Sequence, residues 1–123
     1  MEEAIRRHRI SFKNAFDGLF YAFTSQPNFK IHFFLASLAL LLGFFLEVSF
    51  LELIILVIVI IFGLTVEMMN TSIESITDLV TKEWRQEAKI AKDVAAGMML
   101  LTAIGTVIVA LLIFIPRLTE KFL

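Results

Sequence analysis

Residues 53–78 read LIILVIVIIFGLTVEMMNTSIESITD, an apolar run that continues directly into a polar one. A run of this kind is typical of a helix that crosses a bilayer and emerges from it. The polar part places four side chains at helical spacing: Glu67, Asn70, Glu74 and Asp78. At about 100° per residue they fall within roughly 80° of one another, so they share one side of the helix, here called the acidic face. Charges beside hydrocarbon are costly and usually mark a functional site.

The composition of the whole chain also predicts a membrane protein. Its 123 residues are 59% apolar, whereas a soluble domain has about 45–50%. Three long apolar segments leave little sequence for a separate soluble core, so we expect one all-α membrane domain. The net charge of −1 supplies no field that would attract nucleic acid, and we expect no nucleic-acid partner. The absence of cysteine excludes disulfides and thiolate metal sites.

The apolar pattern predicts a surface helix followed by three spans. Residues 11–24 carry apolar side chains at helical spacing and indicate an amphipathic helix lying in the membrane interface, with a helix on a soluble core as the alternative. We predict spans over about residues 29–46, 48–71 and 94–115. A tight turn over residues 47–52 separates the first two, with its glutamates solvated, and Pro116 ends the third. The second helix should continue to about Val80.

The distribution of basic residues predicts the orientation. Because lysine and arginine are retained in the cytoplasm, the segments that carry them should face it. Nine of the eleven lie before the first span, at its start, or between the second and third: Arg6, Arg7, Arg9, Lys13, Lys30, Lys82, Arg85, Lys89 and Lys92. The N-terminus and the acidic face are therefore expected at the cytoplasmic surface, where ATP is available.

The acidic face offers groups for two different tasks. Glu67 and Glu74 lie roughly 10 Å apart along the helix axis. Glu67, nearest the hydrocarbon, suits a general base, and Glu74 suits oxygen ligation of Mg²⁺. Asn70 could hold a carboxylate or a phosphate oxygen, and Lys92 could bind nucleotide phosphate. The alternative is that the acidic groups pair with Lys89 and Lys92 and only hold helices together.

Two motifs carry a resemblance to a known family. EMMNTSIESITD at residues 67–78 and AKIAKDVAAG at residues 88–97 resemble the small bacterial membrane kinases of the diacylglycerol kinase and undecaprenol kinase family. The resemblance implies a homotrimer of three-span subunits that transfers the ATP γ-phosphate to a lipid hydroxyl. By resemblance Glu67 is the catalytic base and Glu74 a metal ligand. The residues implied at the nucleotide site are Asn14, Gly18, Asn70, Lys92 and Asp93.

One position departs from the family pattern. Where the family usually has a second metal-binding glutamate, the stretch TSQPNFKIH offers Gln26, an amide that can ligate Mg²⁺ but adds no charge. The histidines His8 and His32 lack metal-ligand spacing, so we expect charge balance or interface anchoring from them.

The motifs AKIAKDVAAG and IFIPRL look more like the Gram-positive undecaprenol kinases than the Gram-negative diacylglycerol kinases. We therefore expect undecaprenol as the acceptor lipid, with diacylglycerol as the alternative. Two other classes stay open. One is a non-catalytic membrane subunit. The other is a small transporter that uses Glu67 as a proton relay, which would need that carboxylate near the middle of the membrane.

Overall fold

The structure is a computed structural model that describes the backbone of residues 2–122 and the side chains of residues 11–122. Over that range the chain folds into four helices, α1 (Glu2–Ser25), α2 (Pro27–Phe45), α3 (Phe50–Val80) and α4 (Gln86–Phe122). The predicted all-α class is confirmed. The α2–α3 turn lies at one end of the bundle, here called the turn end, and the α3–α4 loop at the other, here called the loop end.

Helices α2, α3 and α4 are each long and apolar enough to cross a membrane. They contain nearly all of the three predicted spans. Few of their side chains are buried within the chain, and large apolar ones such as Ile58, Phe62 and Leu101 are mostly exposed. A chain that leaves so much apolar surface uncovered needs lipid or other helices around it.

Helix α1 extends further toward the N-terminus than the predicted residues 11–24, and its side chains 11–20 are all exposed. It meets α2 near its own C-terminal end. Ala22 is buried there, and the Phe23 ring packs edge-on against Phe29 and Phe33, with ring centroids 6.5 and 5.4 Å apart. Pro27 begins α2, as its fixed φ angle favours. The amphipathic surface of α1 is therefore free to face a membrane.

The turn between α2 and α3 is shorter than predicted. It occupies residues 46–49, with Glu47 in the left-handed region at φ 53°. Helix α3 begins at Phe50 because Ser49 and Glu52 form a capping box, in which each side chain accepts a hydrogen bond from the other residue's backbone N–H. Beside this turn lies the small apolar core of the chain, formed by Leu46, Leu56, Ile113 and Phe114.

One sequence expectation at the turn end is wrong. Glu52 is not free in solvent, because Arg117 donates from Nη2 to its Oε2 at 2.6 Å and from Nε to both of its oxygens. Helix α4 continues past Pro116 to Phe122, and the expected end of the third span at Pro116 stays a prediction. Proline removes one helix hydrogen bond, but the turn after it is held in place by Arg117 and by Lys121, whose Nζ donates to the Phe45 carbonyl at 2.6 Å.

Candidate active site

The acidic face of α3 lies in the half of the bundle nearer the loop end, and its first two members are buried. Glu67 is 2% exposed and Asn70 is 8% exposed, whereas Glu74 is half-buried and Asp78 is exposed. Burial of a carboxylate costs free energy unless partners or a ligand compensate it. The face therefore runs from an enclosed carboxylate to an open one.

Hydrogen bonds on this face leave two acceptors unused. Asn70 Nδ2 donates to Glu74 Oε1 at 3.2 Å. Glu67 Oε2 and Asn70 Oδ1 are buried without a hydrogen-bond partner. Most buried polar atoms are paired, so two unpaired oxygens three residues apart call for an explanation. Both are acceptors, and they suit a ligand that brings a hydroxyl proton or a cation.

His32 on α2 is a neighbour that sequence analysis missed. Its side chain lies near the Glu67 carboxylate, as does that of Glu74. His32 lies several helical turns before the α2–α3 turn and Glu67 several turns after it, so an antiparallel pair of helices brings the two residues near each other. That placement about the turn was the available signal, and spacing within one helix could not reveal it.

Two lysines of α4, Lys89 and Lys92, form ion pairs with different aspartates. Lys92 donates to Asp78 Oδ1 at 2.6 Å, which links α4 to the open end of the acidic face. Lys89 pairs instead with Asp93, one turn along the same helix. Of the two pairings that the alternative expects, the structure shows the one of Lys92 with Asp78, whereas Lys89 binds within its own helix. Lys92 is nevertheless at the site, where a phosphate could compete with Asp78 for its ammonium group.

The remaining predicted site residues make no hydrogen bond or ion pair with the acidic face among the described side chains. Asn14 and Gly18 are exposed one turn apart on α1, and the position of a side chain at Gly18 would be open space. Gln26 caps α2 through its backbone, and its half-buried side chain makes no capping hydrogen bond. Among the hydrogen bonds and ion pairs of residues 11–122, none joins these three to Glu67, Asn70 or Glu74.

The oxygen donors fit one part of a magnesium site. Within the described side chains no three histidine, aspartate or glutamate groups are gathered around one metal position. Mg²⁺, however, is usually held by one or two carboxylates, with substrate phosphates and water completing its shell. Glu74 and the unpaired Asn70 Oδ1 supply oxygens of that kind. The chain thus offers a partial ligand set that suits a metal–nucleotide complex.

Comparison with known proteins identifies the family. Residues 13–114 match the family of prokaryotic diacylglycerol kinases. The chain belongs to this family. The family prediction made from the two motifs is therefore confirmed, and the match spans every site residue named above.

Two relatives bear different lipid names. An undecaprenol kinase of Bacillus subtilis is 37% identical over 93% of this chain and 93% of its own length. A diacylglycerol kinase of Synechocystis is 37% identical over 89% of this chain and 63% of its own length. The chain thus spans less than two thirds of the Synechocystis kinase and nearly all of the Bacillus kinase.

Proposed function

We propose that this protein transfers the γ-phosphoryl group of ATP to the hydroxyl of a membrane lipid alcohol. Family membership supports the reaction class, since both relatives described above are named as lipid kinases. The observation that carries the proposal is Glu67, a buried carboxylate with an unpartnered oxygen beside membrane-spanning helices. That oxygen can accept the proton that the alcohol loses as it attacks phosphorus.

Glu67 is the proposed general base. Its Oε2 takes the proton from the lipid hydroxyl, and the oxygen of that hydroxyl forms the new bond to the γ-phosphorus while the bond to the ADP oxygen breaks. The low exposure of Glu67 keeps water away from the same carboxylate, which disfavours hydrolysis of ATP.

Asn70, Glu74 and Lys92 form the proposed phosphate side of the site. Asn70 Nδ2 already holds Glu74 and fixes the position of its carboxylate. Lys92 can leave Asp78 to bind phosphate oxygens, and Asp93 beside it belongs to the nucleotide site by resemblance. A bound Mg²⁺, held by Glu74 and Asn70 Oδ1 and, by resemblance, in part by Gln26, would offset negative charge on the phosphates.

We further propose that the N-terminus and the loop end face the cytoplasm, in a bacterial cytoplasmic membrane, and that the working unit is a homotrimer. The exposed lysines and arginines near the loop end support that orientation. Among the described side chains, Asn14, Gly18 and Gln26 make no hydrogen bond to the acidic face, and the metal ligand set is partial, which supports a site that neighbouring subunits or bound nucleotide complete. A trimer would also cover some of the exposed apolar surface.

Undecaprenol is the proposed acceptor, and diacylglycerol is the second candidate. The two relatives are equally identical to this chain, so percentage identity does not separate them. Coverage does, because the undecaprenol kinase matches along nearly its whole length. Both acceptors are primary alcohols on long apolar bodies, and the same base serves either.

The direct test incubates the purified protein with ATP and Mg²⁺ and with undecaprenol, shorter polyprenols and diacylglycerol in turn. We expect labelled phosphate on the polyprenols first. Labelling of diacylglycerol alone would reverse the choice of acceptor. Labelling of no alcohol would favour the non-catalytic membrane subunit.

A further inference from the structure

An apolar groove of about 270 Å³ lies between α2, α3 and α4. Small residues from all three helices line it, among them Ala36, Gly63 and Ala103. Thr102 and Thr106 also line it, but their hydroxyls donate to backbone carbonyls of their own helix at 2.8 and 2.9 Å. Threonines bonded in this way use up their polar atoms locally. The groove is thus suited to hydrocarbon.

The groove leads to the acidic face. On α3 its lining includes Ile60, Gly63 and Leu64, and the next residue at helical spacing on that side is Glu67. On α2 the lining begins at His32, the residue that lies near Glu67. One end of the groove therefore lies beneath a histidine and a buried carboxylate.

The length of the groove matches one leaflet of a bilayer. Its lining on α3 runs from Leu56 to Leu64, and on α4 from Met99 to Ala110. At 1.5 Å per residue these segments extend about 12 and 16 Å. Half of a hydrocarbon core is about 15 Å. A lipid of one leaflet with its hydroxyl at Glu67 could thus lay its chain along the groove.

We infer that this groove seats a single apolar chain of the acceptor alcohol and that His32 holds the acceptor hydroxyl against Glu67. The inference rests on the proposed lipid-kinase function and deepens it. Imidazole can donate or accept a hydrogen bond, so His32 can orient a hydroxyl whose proton points to Glu67. One groove takes one chain, which favours a polyprenol over a lipid with two acyl chains.

Ala36→Leu tests the groove, and Ser37→Leu is its matched control. Ala36 lines the groove, whereas Ser37, the next residue of α2 and also small and half-buried, does not. We expect Ala36→Leu to raise KM for a long polyprenol about tenfold or more, because it fills space that the chain needs, and to leave KM for ATP unchanged. The effect should shrink for a prenol too short to extend down the groove.

The control adds a leucine of the same size outside the groove. The Ser37 hydroxyl donates only to the Phe33 carbonyl of its own helix, so its loss breaks no contact between helices. Ser37→Leu should therefore change neither KM value.

His32 is tested by His32→Phe and His32→Gln. The phenylalanine variant removes the hydrogen bond and should raise KM for long and short alcohols alike, whereas glutamine should restore part of the loss. A loss that depended on chain length, or no rescue by glutamine, would contradict a role in holding the hydroxyl.

Photolabelling of the wild-type protein keeps the test independent of variant folding. A polyprenol with a diazirine in its chain should label residues of the groove, and unlabelled polyprenol should compete.

Labelling confined to outward-facing side chains, or equal kinetics of Ala36→Leu and Ser37→Leu, would overturn the inference. So would a change of oligomer size in Ala36→Leu with unchanged acceptor KM, since a helix of a second copy would then occupy the groove. A wild type that labels but phosphorylates no alcohol would refute the proposed function, and with it the role of the groove as an acceptor site, while showing that the groove binds a polyprenol chain.

Discussion

The turn end and the loop end of this bundle treat buried and half-buried polar groups in opposite ways. At the turn end the Glu52 carboxylate accepts hydrogen bonds from Arg117 and from the backbone N–H of Ser49. It lies beside the apolar core around Leu56 and Phe114. In the half nearer the loop end Glu67 is more deeply buried than Glu52, yet its Oε2 has no partner. Paired charges specify and hold a structure, whereas an unpaired acceptor is retained at a cost in stability. The difference supports the proposal that one end holds the helices and the other performs the chemistry.

The largest expected effect breaks the comparison at Glu67. Glu67→Gln should lower kcat about 10²- to 10⁴-fold, because the general base is lost. Its thermal stability should be kept or raised, because an amide is less costly to bury without a partner than a charge. Phosphorylation rates and unfolding temperature measure the two effects. Glu47→Gln is the control at the turn end; the pair of Glu47 with Lys121 at 3.6 Å is exposed and contributes little, so kcat should be unchanged and the unfolding temperature nearly so. Robust activity of Glu67→Gln would exclude Glu67 as the base.

The second effect separates two lysines of α4. Lys92→Met should raise KM for ATP about tenfold to a hundredfold, as expected for loss of a charged hydrogen bond to phosphate. Lys89→Met is the control, because its pair with Asp93 is exposed and within one helix, where such pairs contribute little. Asp78→Asn removes the charge of the partner of Lys92, and its unfolding temperature shows how much that pair contributes to stability. If Lys92→Met lowered stability as Asp78→Asn does and left KM for ATP unchanged, Lys92 would be only a structural partner.

A smaller effect sharpens the metal assignment. Gln26→Glu should lower the Mg²⁺ concentration needed for half-maximal activity severalfold, because a carboxylate adds charge to the ligand set. A titration of activity against Mg²⁺ measures it. Gln86→Glu makes the same exchange at the exposed start of α4 and should leave the requirement unchanged. An unchanged or higher requirement in Gln26→Glu would remove Gln26 from the metal site.

The smallest effect on catalysis is expected at the turn end. Arg117→Met removes the partner of Glu52 and should lower the unfolding temperature, while kcat and both KM values stay unchanged at temperatures where the protein is folded. Glu120→Gln, at the exposed second partner of Arg117, should lower it less. Lost activity in folded Arg117→Met would show that the two ends are coupled.

Sequence patterns predicted the helices well where apolar runs were long. The positions of Pro27 and Val80 at helix ends followed from local rules, and α1 and α4 began near the expected residues or before them. At Pro116 a local rule would favour a helix end, but α4 continues past it. Contacts of Arg117 and Lys121 with the turn between α2 and α3 hold the last turns of α4 instead, and those partners are distant in sequence.

The candidate site was predicted in the same uneven way. Glu67, Asn70 and Glu74 were found because a period of 3.6 residues puts them on one face, and the Asn70–Glu74 hydrogen bond lies within that period. The assignment of catalytic roles to them stays a prediction. His32 was missed because its position beside Glu67 depends on how two helices pair.

The amino-acid sequence by itself determined that this is a helical membrane protein with acidic groups at one end of a span, because hydropathy and helical period are properties of neighbouring residues. Its two motifs also determined the family. Only the tertiary structure decided that Glu67 is enclosed with a free oxygen, that Lys92 meets Asp78 and that an apolar groove leads to His32. Burial, pairing and empty space depend on which helix faces which, and that is fixed by packing between segments far apart in the chain.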